Sequence, residues 1–302
     1  MVYSRLYGIL MSNIFISIKL LICCLFLAIT INVVNAKEQN FTQSYEKGLW
    51  STKENSFFCH LGQTFDDYAS LEVISVPAEP QKLVLKWLLS DKKVTDVQVF
   101  SRKADWQSKS ISPPQLNLFT ADISNNAATF DVDESTILRV IKQGGWLDSV
   151  VGFGDEQLRL TFTNILSDDA IEKYQHCLSN LSPLSWKQAR DHEIHFQTGK
   201  RTVDKREDLD FLKDLVRYVL LDKDVTKVMV DGHTDNVGSP LANRLLSKER
   251  ADDVASRLVE FGLPKDMLEV RAHGQRYPVA KNSNKGLASN RRVLIRLFRH
   301  SN

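Results

Sequence analysis

Between Phe57 and Cys177 apolar residues recur at short range, in "LEVISV" (71–76), "KLVLKWLL" (82–89), "VTDVQVF" (94–100), "QLNLF" (115–119), "AATFDV" (127–132), "STILRVI" (135–141) and "EQLRLTFTNI" (156–165). Several runs alternate strictly, with Val97 and Val99 against Asp96 and Gln98, and Leu158, Leu160 and Phe162 against Arg159 and Thr161. Period-two alternation turns one face of each strand towards a core. Turn residues part the runs, among them "SPP" (112–114), "SNN" (124–126) and "GG" (144–145). The pattern predicts an antiparallel β sandwich or barrel. One helical piece is expected at "SDDAIEKYQHCL" (167–178), where Ser167 is a candidate cap. This half carries no catalytic constellation, and a structural or partner-binding module is expected.

From His192 the rhythm changes. "EIHF" is a short strand, and "REDLDFLKDLVRYVLL" (206–221) spaces Leu209, Leu212, Val216, Val219 and Leu220 as a helix does. "TKVMVDG" (226–232) is a buried strand; a second helix follows, with Ser239 as N-cap and Pro240 in its first turn, ended by Gly262 and Pro264. "LEVRAHG" (268–274) and "RRVLIRLF" (291–298) are the last strands. The order predicts an α/β (α+β) domain with helices on one face of a mixed sheet. Expected boundaries are 1–36, 37–181 and 182–302.

Charge changes the picture first at the N-terminus. Residues 1–36 hold only Arg5 and Lys19 as charges, and the apolar run "LLICCLFLAITINVV" ends at Val34-Asn35-Ala36, a small-residue pattern like a signal-peptidase site. Export through a cleavable signal peptide is expected, with Met1 or Met11 as the start. The seventeen uncharged residues from Leu20 to Ala36 leave an uncleaved anchor open, while Ile22 before Cys23 departs from the usual lipid-attachment pattern. Beyond residue 36 the chain has 37 basic and 37 acidic residues, divided 14 against 20 up to Leu181 and 23 against 17 from Ser182. No aromatic and basic platform for nucleic acid accompanies the basic half.

Outside the leader only Cys59 and Cys177 remain. In an exported chain, with no second cysteine pair and no suitably spaced histidines, they read as a disulfide rather than metal ligands. It would staple the N-terminal domain across a loop worth roughly 4–5 kcal/mol in chain entropy. His192 and His195 lie three apart on a strand and so point to opposite faces. With no G-x-S-x-G, H-E-x-x-H or phosphate loop, neither an enzyme nor a metal or cofactor site is expected.

One juxtaposition does suggest chemistry. On the second helix Asn243, Ser247, Arg250, Val254 and Leu258 share a stripe, and its polar end lies beside the loop holding Thr234 and Asp235. A buried arginine needs partners, and its planar fork suits a carboxylate. Two readings stand: a salt bridge between Asp235 and Arg250 that pins loop to helix, or a site for a zwitterion, with Arg250 on a carboxylate and Asp235 on an ammonium.

"GHTDNVG", "NRLLSKERA" and "GQRYPVAKNSNKGLASNRRV" resemble the OmpA-like peptidoglycan-binding domain, with its G-x-T-D, N-x-x-L-S-x-x-R-A and N-R-R-V blocks in order over about residues 192–298. The resemblance implies that Asp235 and Arg250 grip the diaminopimelate of the peptidoglycan stem peptide, that Thr234 and Asn243 shape the pocket, and that Asn290 and Arg291 support the site or the fold. The order of leader, disulfide-stapled β domain and wall-binding domain is similar to that of the T-ring proteins of sodium-driven polar flagellar motors. That similarity implies a periplasmic, non-enzymatic component whose partners are peptidoglycan, the flagellar basal body and MotX, with stator units indirectly. Another OmpA-family wall anchor, or a wall-degrading enzyme, is the alternative.

Overall fold

The computed structural model describes residues 37–300 apart from 45, 66–67, 89–92, 108–112, 120, 282 and 284–285. The expected signal peptide, 1–36, lies outside them. No helix among the described residues is long and apolar enough to cross a membrane.

The N-terminal half contains strands β1 (Lys37–Thr42), β2 (Trp50–Asn55), β3 (Phe58–Phe65), β4 (Ala69–Ser75), β5 (Lys82–Trp87), β6 (Asp96–Lys103), β7 (Asn117–Leu118), β8 (Asp122–Ser124), β9 (Ala127–Asp131), β10 (Gly145–Phe153) and β11 (Glu156–Phe162). They form two sheets, β2-β3-β4-β5-β9-β8 and β1-β11-β10-β6-β7. Alternate residues of each, such as Leu71 and Val73 of β4 and Val97 and Val99 of β6, meet in one core. The architecture is a sandwich, antiparallel except that β1 pairs in parallel with β11. Helices α1 (Glu134–Lys142) and α2 (Asp168–Asn180) bury Ile137, Ile141, Ile171 and Tyr174 in the same core.

Two local expectations are corrected, and one strand lies where none was expected. The run 135–141 is helical, not extended: Ile137, Leu138 and Ile141 lie on one face of α1, whatever the β-branched content suggests. Strand β10 is central and buried along nearly its whole length, yet Asp148 and Ser149 interrupt its apolar pattern. Asp148 is sustained there by Thr161 Oγ1 at 2.8 Å and by Arg102 and Arg159. Ser167 occupies the cap position of α2 without a side-chain capping bond.

Cys59 at the start of β3 is bonded to Cys177 near the end of α2, with Cα atoms 5.8 Å apart and a sequence separation of 118. The turn beside it, between β2 and β3, reaches beyond its own core. Phe57 packs on Tyr218 at 5.2 Å between ring centroids and joins the C-terminal core, while the Ser56 carbonyl accepts the Ser182 N–H at 2.8 Å.

The C-terminal half runs α3 (Trp186–Arg190), β12 (Asp191–His195), α4 (Arg206–Leu221), β13 (Val225–His233), α5 (Pro240–Glu260), a single 3-10 turn (Lys265–Met267), β14 (Leu268–Gly274), α6 (Leu287–Asn290) and β15 (Arg292–Arg299). Its sheet order is β12-β15-β13-β14, with β13 parallel to β14 and the other pairs antiparallel, so the sheet is mixed. Leu212, Leu215 and Val216 of α4 and Ala251, Val254 and Leu258 of α5 pack with Val228, Val230, Val293 and Ile295. Ser239 caps α5 by accepting the Ala242 N–H at 3.2 Å, and Gly262, at φ +108°, ends it. Gly232 lets α5 lie against β13: a Cβ there would stand 2.1 Å from the Ser247 carbonyl oxygen.

Candidate functional site

The sheet delivers four chain segments to one place. Strand β13 ends at His233, and the next residues, Thr234 and Asp235, are buried. Asp235 Oδ1 accepts the Val237 N–H at 3.2 Å, turning the chain towards α5. Its Oδ2 accepts from Arg291 Nη1 at 3.0 Å. Arg291 stands just before β15, and its Nε donates to the Phe196 carbonyl at 3.1 Å, beyond the end of β12. The antiparallel register that sets Gly232 opposite Val293 brings these segments together.

Arg250 comes from α5 and is fully buried. Its Nε donates to the Lys200 carbonyl at 2.9 Å and its Nη2 to the Gln197 carbonyl at 3.3 Å, and the guanidinium lies 5.0 Å from the Phe196 ring centroid. Nη1 has no hydrogen-bond partner among the described residues. Burial, and then the neighbouring Arg291, push its pKa down to about 10 against the pull of Asp235, so the group is charged at neutral pH. Among the described residues, then, Asp235 is ion-paired with Arg291, and Arg250 rests on neutral carbonyls with its Nη1 amino group to spare. Of the two readings left open, a direct bridge from Asp235 to Arg250 is not formed among the described residues, Asp235 pairing with Arg291 instead.

The remaining predicted residues divide. Thr234 donates its backbone N–H to the Gly274 carbonyl, and its Oγ1 is buried without a partner among the described residues. Asn243 donates to Gln275 Oε1 at 2.7 Å, and Ser247 Oγ accepts the Gly274 N–H at 3.0 Å, so both tie the end of β14 to α5. Asn290 is buried and holds the turn at 279–280 through both backbone N–H groups and the Ala280 carbonyl. Sequence reading missed the carbonyl cradle of Phe196, Gln197 and Lys200, because backbone oxygens carry no side-chain signature; Gly199 at φ +77° was its only local sign.

A second charged cluster lies nearby on β13. Asp231 is buried and accepts from Arg271 at 2.6 and 2.9 Å, from Arg296 at 2.6 Å, and meets His273 Nε2 at 2.7 Å. Burial alone would raise its pKa, but the bonds from Arg271, His273 and Arg296 outweigh it and hold the carboxyl well below its usual range. His233 stacks on His273 with ring centroids 4.9 Å apart, and burial lowers its pKa to about 4, so it is neutral at pH 7.

Fold and site define the class of the C-terminal half: residues 195–292 match the OmpA family. Residues 41–183 match the MotY N-terminal domain, so two family matches follow one another along the chain. It is 27% identical over 148 residues to the sodium-type flagellar protein MotY of Vibrio parahaemolyticus, covering 48% of this chain and 50% of that one. It is 46% identical over 81 residues to the outer-membrane lipoprotein YfiB of Pseudomonas aeruginosa, covering 26% and 48%. The chain spans about half the length of these curated relatives. Among solved structures, the C-terminal domain of Helicobacter pylori MotB is similar at 21% identity and a TM-score of 0.34, over 36% of this chain and 86% of that one.

Proposed function

We propose that the protein is a non-enzymatic periplasmic component of a sodium-driven polar flagellar motor, anchored to peptidoglycan by residues 182–302. The observation that carries the wall-binding part is Arg250: a fully buried guanidinium whose Nη1 amino group has no partner among the described residues, beside the Asp235 carboxylate. A buried cation supported only by carbonyls is held for an anion. Arg250 takes a carboxylate of the diaminopimelate end of a stem peptide, and Asp235 Oδ1 faces its ammonium; Thr234 and Asn243 shape the surroundings. Residues 37–181 join the basal body and MotX and help stator units assemble, a reading supported by the match to the MotY N-terminal domain.

The test is co-sedimentation of the purified protein with diaminopimelate-type peptidoglycan, beside Asp235→Ala and Arg250→Met. Arg250→Met keeps a long side chain over Phe196, and circular dichroism checks that each variant is folded. Binding by the wild type and loss in both folded variants is expected; binding that survives both changes would overturn the site. For the motor part, deleting the gene in a flagellated host should abolish swimming while flagella remain, and unimpaired swimming would leave only an OmpA-family wall anchor. Release of soluble muropeptides by the wild type would instead favour the enzyme.

A further inference from the structure

The C-terminal sheet stops beside α5. Its strand order ends at β14, and among the described residues none pairs with the outer side of that strand. Such edges are commonly blunted by a proline, a bulge or a covering loop. Residues 268–272 include no proline and pair regularly with β13, the register shifting only past Gly232. Between this edge and α5 runs a groove of about 400 Å³, walled by Leu241 and Leu245 on α5 and by Val270 and Ala272 on β14, with Arg244, Lys248 and Asp252 along it. Leu241 and Leu245 are 71% and 56% exposed, so the groove is apolar and open. Neither Asp235 nor Arg250 lines it.

These features select the occupant. An unpaired strand edge presents a row of N–H and C=O groups that another extended backbone matches along its length. Leu241 and Leu245 lie about 6 Å apart along α5, and Val270 and Ala272 about 6.6 Å apart along β14. Alternate side chains of an added strand have the same spacing, so two of them fit between helix and edge. On the opposite face of β14 the charges are already engaged, Glu269 by Lys227 at 2.9 Å and Arg271 and His273 by Asp231. In the groove Lys248 is held by Asp252 at 2.6 Å, whereas Arg244 is exposed and has no ion-pair partner among the described residues. One positive charge is thus left for an acidic side chain. A second copy joined edge to edge by a two-fold axis would instead bring the same excess cation with it. We propose that the edge of β14 docks an extended segment of a partner protein, which adds as a fifth strand, sets two alternate apolar side chains between α5 and β14, and turns an acidic residue to Arg244.

The experiment is NMR titration of the isotope-labelled protein, up to millimolar concentration, with the peptide Asp-Thr-Val-Thr-Val-Thr-Asp, blocked at both ends and the same read in either direction. Shifts at the amides of β14 and around Leu245 are expected, with slowed hydrogen exchange at alternate amides of β14. A peptide with lysine at both ends should bind about fivefold more weakly, and Arg244→Glu, an exposed change, should invert that preference. Backbone N–H groups of a strand point alternately to its two sides. N-methylation of the threonines, or else of the valines, should therefore abolish binding in one peptide and spare it in the other. No shift at β14 with millimolar peptide overturns the proposal, as do two N-methylated peptides that behave alike. A preference for aspartate that persists in folded Arg244→Glu removes the acidic residue from it. A dimer of the protein alone that sedimentation detects and Leu245→Glu dissociates would give the edge to a second copy and overturn the proposal.

Discussion

Arg291 grips Asp235 with Nη1 at 3.0 Å and the Phe196 carbonyl with Nε at 3.1 Å, so one side chain ties the loop after β13 to the end of β12. Removing the carboxylate leaves Arg291 and Arg250 facing one another without a counter-charge. Asp235→Ala is therefore expected to lose about 1–3 kcal/mol of stability, less than for a fully buried pair because both partners reach some solvent. Urea denaturation measures the difference.

Gly232 and Gly199 predict contrasting outcomes. A Cβ on Gly232 would strike the Ser247 carbonyl, backbone that shifts only if α5 shifts. Gly232→Ala should cost about 2–3 kcal/mol or more and displace Arg250, weakening wall binding in the folded fraction. Gly199 has open space around it but φ of +77°, so Gly199→Ala should cost only about 1–2 kcal/mol through backbone strain.

Asp231 gives the fold a defined acid limb. Its folded pKa lies below the ordinary 3.8, so the stabilisation it supplies is fully present above that value and is lost as pH falls below it. Asp231→Asn should cost roughly 2–4 kcal/mol at neutral pH, where it leaves Arg271 and Arg296 without their counter-ion. The gap between variant and wild type should close as the pH is lowered through about 4 and beyond. Denaturation curves at stepped pH values check both the sign and the window.

The Cys59–Cys177 bridge spans 118 positions, and the chain-entropy model assigns such a loop about 4–5 kcal/mol. Reductant should shift the protein's mobility in a non-reducing gel, and the Cys59→Ser, Cys177→Ser double variant should melt at a lower temperature. An unchanged melting curve would show that the loop is held closed by packing alone.

Phe57 belongs by chain order to the sandwich and by contact to the other core. Phe57→Ala should uncouple the two halves, so that calorimetry resolves two unfolding steps where the wild type gives one. A single transition in the variant would mean that the remaining junction contacts suffice.

Much of the C-terminal half was legible because its signals are local. The apolar spacing of 206–221 coincides with α4, and Ser239 and Pro240 open α5 as cap chemistry requires. In the sandwich, β10 was hidden by Asp148, whose partners Arg102, Arg159 and Thr161 sit on neighbouring strands. The candidate site was half legible for the same reason. Asp235 and Arg250 were marked by position on loop and helix, but the choice of Arg291 as the partner of Asp235 depends on the register of β13 with β15, which no local pattern encodes.

The junction between the halves has a mechanical consequence. A tensile load passing from the C-terminal half to the sandwich enters by two routes, the chain through α2 and the β2–β3 turn held at Ser56 and Phe57. Cys59 and Cys177 join those routes where they enter the sandwich. Force arriving along either is shared through a covalent link, so the hairpin resists being unzipped one hydrogen bond at a time.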